Sequence, residues 1–334
     1  MIKTIYFRVD GDSGKFAGLG HINRSLNFYA HLNKKLDKNH KFVFLSKYKE
    51  GIKILREKTN KKIIKFSKKN LNRLNFDKSD VVIIDTLGAE KFLLNKLNKN
   101  KIKKISFDEL NLRDFKSGIV INGIFFTKKI LKESKRIKIY QGLNYLVLNK
   151  NFSKKKKFLK NKKNILNKIF ICSGGADHKN FLFKITNHLL TLDNYHLNVV
   201  IGSAVKKTNK IYGLKNEKLN KKVNIINIKK YMEKNHIIIC SGGTIMFEAI
   251  AAGFKPIVFE NYSHQKYAIK YFKKRNQIIN GKKLNKRNLN NLFYHIDNLK
   301  KSNINKSYMQ NIKSIDGKGL SRINKILLDY INEK

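Results

Sequence analysis

The chain has 334 residues, 41% of them hydrophobic, and carries 73 Lys and Arg against 23 Asp and Glu, a formal net charge of +50. That length suits two domains with real cores, and no run of eighteen apolar residues is present to cross a membrane. Only two cysteines occur, Cys172 and Cys240, which argues against a disulfide scaffold or a zinc site and suits a reducing compartment.

The N-terminus, MIKTIYFRVD, reads as a strand over 3–9 rather than as a signal peptide, so a soluble, cytoplasmic protein is expected. Gly18-Leu19-Gly20-His21-Ile22-Asn23-Arg24 follows, and then Ser25, Leu26, Phe28, Tyr29, Ala30 and Leu32 recur at helical spacing. The glycines therefore fall in a strand-to-helix loop, where α/β sheets hold ligands. Gly18 and Gly20 allow close backbone approach, the helix start favours an anion, and His21 offers an acid or base. The plainer reading of His21 is a helix cap.

Strands are expected at 41–46, 62–66, 81–85, 103–107 and 119–122, with helices at 48–58 and 89–97 between them. The run Val81-Val82-Ile83-Ile84 ends in Asp85, and the next strand leads into Asp108-Glu109, so polar groups emerge at the C-terminal ends of buried parallel strands. Capping or turn chemistry accounts for Asp85 and Asp108 equally well. Residues 149–168 form a basic stretch with little periodicity, read as an interdomain connection.

Beyond it, Ile169-Phe170-Ile171 enters Cys172-Ser173-Gly174-Gly175, followed by Asp177 and a helix over 181–192. Ile237-Ile238-Ile239 enters Cys240-Ser241-Gly242-Gly243, followed by Thr244 and a helix over 245–252. Two anion-binding turns in one domain suit a diphosphate or nucleotide, although small residues also permit tight strand–helix packing. Glu248, one helical turn after Thr244, can accept both hydroxyls of a ribose. A strand at 256–259 and a polar loop with His264 and Gln265 precede a helix at 267–272, and either loop residue has a plain reading as solvated His or cap.

These motifs, in order, are Phe7-Arg8-Val9-Asp10, Gly18 to Arg24, Ile83 to Asp85, Ser106 to Asp108, Ser173 to Asp177, Ser241 to Ala249, Gly253 to Ile257 and Ile315 to Ile323. The set resembles the UDP-2,4-diacetamido-2,4,6-trideoxy-β-L-altropyranose hydrolases of pseudaminic acid biosynthesis and the related spore-coat polysaccharide proteins. The second half alone also resembles the N-acetylglucosaminyltransferase acting on lipid I. The resemblance implies an α/β protein of GT-B architecture, two Rossmann-like domains with parallel sheets facing across a cleft. The expected layout is an N-terminal domain over 1–148, a basic linker over 149–167, a UDP-binding domain over 168–316, and a helix over 317–334 returning to the first domain. On that last segment Leu320, Ile323, Ile326, Leu327, Tyr330 and Ile331 share one helical face.

The resemblance further implies a hydrolase that needs neither metal nor cofactor. In it His21 activates water and Asp10 orients the imidazole or the water, as the two catalytic residues. Gly18, Gly20, Arg24, Ser173, Gly174, Gly175, Ser241, Gly242, Gly243 and Thr244 bind the substrate. Glu248 holds the ribose, the backbone near Ile228 meets uracil, and His264 and Gln265 lie on the sugar side. Asp10-Gly11-Asp12 has the D-x-D form of some metal sites but lacks further ligands. Thr86-Leu87-Gly88 stands where an aromatic is usual, His264 replaces an Asn, and Asn149 replaces an Arg, so the nucleotide site is better matched than the sugar site. The alternative activity is a UDP-sugar glycosyltransferase.

Lys, Asn and Ile are enriched throughout with a single proline, which is what an AT-biased coding sequence gives by drift. The functional alternative is a field drawing in anionic ligands or, weakly, an anionic membrane surface. No RNA-binding motif, zinc finger or basic zipper accompanies the charge, so no specific nucleic-acid partner is expected.

Overall fold

A computed structural model describes residues 3–11, 20–36, 39–86, 88–107, 114–123, 134–153, 167–177, 179–192, 194–225, 227–301, 311 and 313–333. The chain divides into two compact units, Met1–Val147 with Gly319–Lys334, and Leu148–Lys318. Each is a parallel α/β sheet layered with helices, in keeping with the α/β class expected from the alternating pattern.

Unit one carries β1 (Lys3–Val9), α1 (Gly20–Lys35), β2 (His40–Ser46), α2 (Lys49–Lys58), β3 (Lys62–Lys65), α3 (Lys68–Asn72), β4 (Val81–Asp85), α4 (Lys91–Lys99), β5 (Lys103–Phe107), β6 (Gly118–Asn122) and β7 (Ile137–Gln141). The strands lie in the order β3-β2-β1-β4-β5-β6-β7, so successive crossovers run one way from β1 to β3 and the other way from β4 onward. Strands buried on both faces read as near-continuous apolar runs, and β4 is buried throughout, apolar as far as its closing Asp85.

Strand alternation then sorts the residues between two cores. Ile5, Phe7 and Val9 of β1 and Val81 and Ile83 of β4 pack with Ile22, Phe28 and Leu32 of α1. Tyr6 of β1 and Val82 and Ile84 of β4 pack with Leu93, Leu94 and Leu97 of α4 on the other face.

The helix Gly319–Asn332 belongs to unit one and buries Ile323, Leu327 and Ile331 in the α1-side core. It has no basic residue in its last turn. Lys3 and Lys103 supply the charge instead, donating to the terminal carbonyls of Ile331, Tyr330 and Glu333, where cations are favoured by the helix dipole. Leu327→Ala should therefore cost about 2–5 kcal/mol, read as a lower urea midpoint. An unchanged midpoint would mean that this helix adds nothing to the core.

Unit two carries β8 (Lys168–Cys172), α5 (Phe181–Leu189), β9 (His196–Ile201), β10 (Leu219–Val223), α6 (Ile228–Met232), β11 (Ile237–Ser241), α7 (Thr244–Ala251), β12 (Ile257–Glu260), α8 (Lys266–Lys274), β13 (Ile279–Lys283), α9 (Lys286–Asn290) and α10 (Leu292–Lys301). Its strand order is β10-β9-β8-β11-β12-β13, so winding reverses between β8 and β11 as it does between β1 and β4. Ile169, Ile171, Ile237, Ile239, Ile257 and Phe259 join α5 and α10 in one core. Among the described residues, no helix is long and apolar enough to cross a membrane.

Candidate active site

In open parallel sheets the carboxyl ends of the strands on either side of a winding reversal form the natural ligand position. In unit one that position lies between the loop after β1, which ends in α1, and the end of β4. His21 stands in the first turn of α1, and Arg24 and Ser25 follow at i+3 and i+4 on the same face. Asp85 closes β4 in register with Val9.

The three α1 side chains meet on the Asp85 carboxylate. His21 Nδ1 lies 2.7 Å from Oδ1, Arg24 Nε donates to Oδ2 at 2.9 Å, and Ser25 Oγ donates to Oδ2 at 3.0 Å. Arg24 Nη2 donates to Oδ1 as well, and the guanidinium lies 5.1 Å from the centre of the Phe107 ring. Burial alone would raise the Asp85 carboxyl, but the Arg24 guanidinium, helped by His21, outweighs it and holds the group well below the usual carboxylate range. An ionised carboxylate can only accept. Nδ1 is therefore set to donate to it, although Arg24 Nη2 also lies 3.2 Å from Nδ1, and a ring with no second proton then has its lone pair on Nε2. The His21 side chain remains 18% exposed while Asp85 is fully buried, so the ring is reachable and its anchor is not.

Asp10, expected to orient the imidazole or the water, is not bonded to His21 and is held by other groups. Its carboxylate receives Arg8 Nη1 and Nη2 at 2.6 Å each and the backbone N–H of Lys47 at 2.9 Å. The reason is parity: Arg8 and Asp10 alternate with Phe7 and Val9 and so project to the α4 side of β1, away from α1. There Arg8, fully buried, also binds Glu90 and stacks 3.9 Å from the centre of the Phe66 ring. Arg24, expected on the substrate, commits Nε and Nη2 to Asp85. Asp85 is the strand-end carboxylate for which capping is the equal reading in the sequence, and it proves to be the partner of His21; Ser25, Arg8 and Glu90 have no role of their own that the sequence shows.

Gly18 and Asp12 lie outside the described residues, as does the side chain of His264. Gly20 opens α1, with no described atom within 4 Å of where its side chain would begin. Among the described residues, no three His, Cys, Asp or Glu side chains gather as metal ligands.

In unit two the reversal point brings the two Ser-Gly-Gly turns together. Ser241 Oγ donates to the Ser173 carbonyl at 2.7 Å, and Ser173 Oγ donates to the Ala176 carbonyl at 3.2 Å. Gly174 has φ +97°, a left-handed backbone, and neither it nor Gly175 has a described atom within 4 Å of its missing side chain. Asp177 accepts the N–H groups of Phe181 and Leu182, capping α5. Gly243 precedes α7, and Thr244 is its exposed first residue. Gln265 accepts the N–H groups of Asn261 and Tyr262 and so shapes the loop after β12, while its Nε2 lies 3.6 Å from where a Gly243 side chain would begin. Ile228 is half-buried at the start of α6, behind the cap Asn227.

Cys172 and Cys240 are register partners on β8 and β11, and both thiols are pushed up by burial and by the nearby Glu248. Glu248 is half-buried, its carboxyl has no hydrogen-bond partner among the described residues, and loss of solvent around that carboxyl pushes it from 4.5 up to about 8. The folded protein thus keeps a proton that the unfolded chain releases, so this group's contribution to stability falls as pH rises from about 4.5 to about 8. Melting Glu248→Gln beside the parent at pH 5 and pH 8 should show the parent losing more stability across that interval. Parallel pH profiles would contradict the burial.

No protein-family model matches the chain. It is 32% identical over 273 residues to an uncharacterized protein of Methanocaldococcus jannaschii, covering 77% of this chain and 56% of that one. It is 26% identical over 215 residues to the spore coat polysaccharide biosynthesis protein SpsG of Bacillus subtilis, covering 60% and 62%. The chain thus spans less than two thirds of the length of either relative. A glycosyltransferase from Rickettsia africae aligns over 99% of both chains with a TM-score of 0.62 and 13% identity. The fold is that of the GT-B glycosyltransferases. The expected GT-B class therefore holds at the level of two Rossmann-like α/β domains.

Proposed function

We propose that this chain hydrolyses a UDP-linked 2,4-diacetamido-2,4,6-trideoxy sugar to UDP and the free sugar, without a metal ion, in nonulosonic (pseudaminic) acid and surface-polysaccharide synthesis. The observation that carries the reading is the His21–Asp85 pair, which leaves Nε2 as a base at a strand-end ligand position. The similarity to a spore coat polysaccharide protein supports the pathway class.

In this reading Nε2 takes a proton from water as its oxygen bonds to the anomeric carbon. The bond from that carbon to the diphosphate oxygen breaks, and its electron pair leaves with UDP. Asp85 keeps the ring oriented and stabilises the imidazolium that forms. The N–H groups of the two glycine turns in unit two meet the diphosphate charge, and Glu248 accepts the ribose hydroxyls. A second reading, favoured by the glycosyltransferase neighbour, places an acceptor hydroxyl where the water stands.

The test is incubation with UDP-2,4-diacetamido-2,4,6-trideoxyaltrose, and separately with UDP-N-acetylglucosamine, in ¹⁸O water with and without EDTA. The expected result is EDTA-insensitive release of UDP, with the label on the anomeric carbon of the diacetamido sugar. Binding of UDP without release from either donor would turn the assignment to a transferase. No binding of UDP would overturn both.

A further inference from the structure

In unit two β11 lies between β8 and β12, so the loops at the C-terminal ends of these three strands run side by side. Lys179, in the loop after β8, donates Nζ to the carbonyl of Asn261 in the loop after β12, at 2.6 Å. A contact between the two outer loops has to span the end of the middle strand, where the turn Ser241-Gly242-Gly243 leads into α7.

The same atoms tie that contact to the turn. The Asn261 N–H is held by Gln265 Oε1 at 2.9 Å, and Gln265 Cβ comes within 3.0 Å of where a Gly242 side chain would begin. The ammonium also sits 5.3 Å from the centre of the Tyr262 ring, a cation–π distance. Its position is thus fixed by a carbonyl and a ring, neither of which cancels its charge. Asp177, two residues upstream, is engaged by the N–H groups of α5 and the side-chain amide of Asn209.

Resting on the reading of these turns as a UDP site, we propose that Lys179 is the cation that receives the diphosphate of the nucleotide sugar. An ammonium carries three N–H donors, and the Asn261 carbonyl takes one. The remaining donors can serve phosphate oxygens at the same strand ends where the glycine turns present backbone N–H groups. Lysine binds phosphate as a point charge, so its effect scales with ligand charge rather than with base or ribose contacts.

The experiment compares uridine, UMP and UDP binding to the parent protein, Lys179→Met and Lys179→Arg by titration calorimetry or ligand NMR. Lys179 is exposed, and the circular dichroism of each variant checks its fold. Lys179→Met should weaken UDP roughly 10- to 100-fold, as expected for a charge-assisted hydrogen bond, with uridine unchanged and Lys179→Arg in between. UDP affinity within twofold of the parent would overturn the proposal. So would equal losses for uridine and UDP, which would make Lys179 a support of the loop after β12. If the parent bound neither UDP nor uridine, the UDP-site reading itself would fall; if it bound both while the variants kept the parent's preference for UDP, only the role of Lys179 would.

Discussion

His21→Ala should lower turnover of the UDP-sugar by roughly 10² or more, while the affinity for UDP stays nearly unchanged. The argument is positional. The glycine turns and Glu248 assigned above to the diphosphate and ribose are on unit two, and His21 is not among them, so the substitution removes the base and leaves those groups in place. Asp85→Asn should lower kcat in the same direction, because the amide no longer holds Nδ1–H with a full charge. Since Asp85 acts through the ring, the double variant should be no slower than His21→Ala alone. Losses that multiplied in the double variant would show that Asp85 works on the reaction independently. A His21→Ala protein with full turnover would end the assignment of base.

Arg8→Met should destabilise unit one by about 3 kcal/mol, from the cost of leaving a buried charge without its partner. Arg8 is wholly buried, and its guanidinium is bonded to Asp10 and Glu90 and packed on Phe66. Methionine can fill much of the volume against Phe66 but leaves the Asp10 carboxylate with the Lys47 N–H alone among its described partners. The low end of the range is expected because the Glu90 side chain is 27% exposed and can turn to water. Chemical denaturation provides the measurement, and a midpoint equal to the parent's would mean that the cluster is stability-neutral. Because Asp10 faces away from α1, Asp10→Asn should affect folding far more than kcat.

Much of the fold is legible from residues alone. The apolar run ending in Asp85, the apolar face of residues 320–331, and the two Cys-Ser-Gly-Gly turns each announce their element through periodicity or glycine placement. The strands β7, β9, β10 and β13 are less legible in the residues. β10 (LNKKV) and β13 (INGKK) lie at sheet edges, where lysines are tolerated and alternation is weak. The partner of His21 was harder still. Asp10 is the near carboxylate in sequence, and Asp85 is 64 residues away. Only the strand order, which sets β4 beside β1, and the register Val9↔Asp85 bring it close. Parity could have excluded Asp10, because it shares a face with Arg8 and not with Phe7 or Val9.

The helix Gly319–Asn332 also dictates an order of events. Unit two is one continuous stretch, Leu148–Lys318, whereas unit one needs residues from both sides of it. On a ribosome the sheet of unit one emerges first, yet Ile323, Leu327 and Ile331, which close one of its two cores, follow only after unit two has been made. At ordinary synthesis rates that delay is roughly ten to forty seconds. The sheet made before unit two thus completes its core only after unit two.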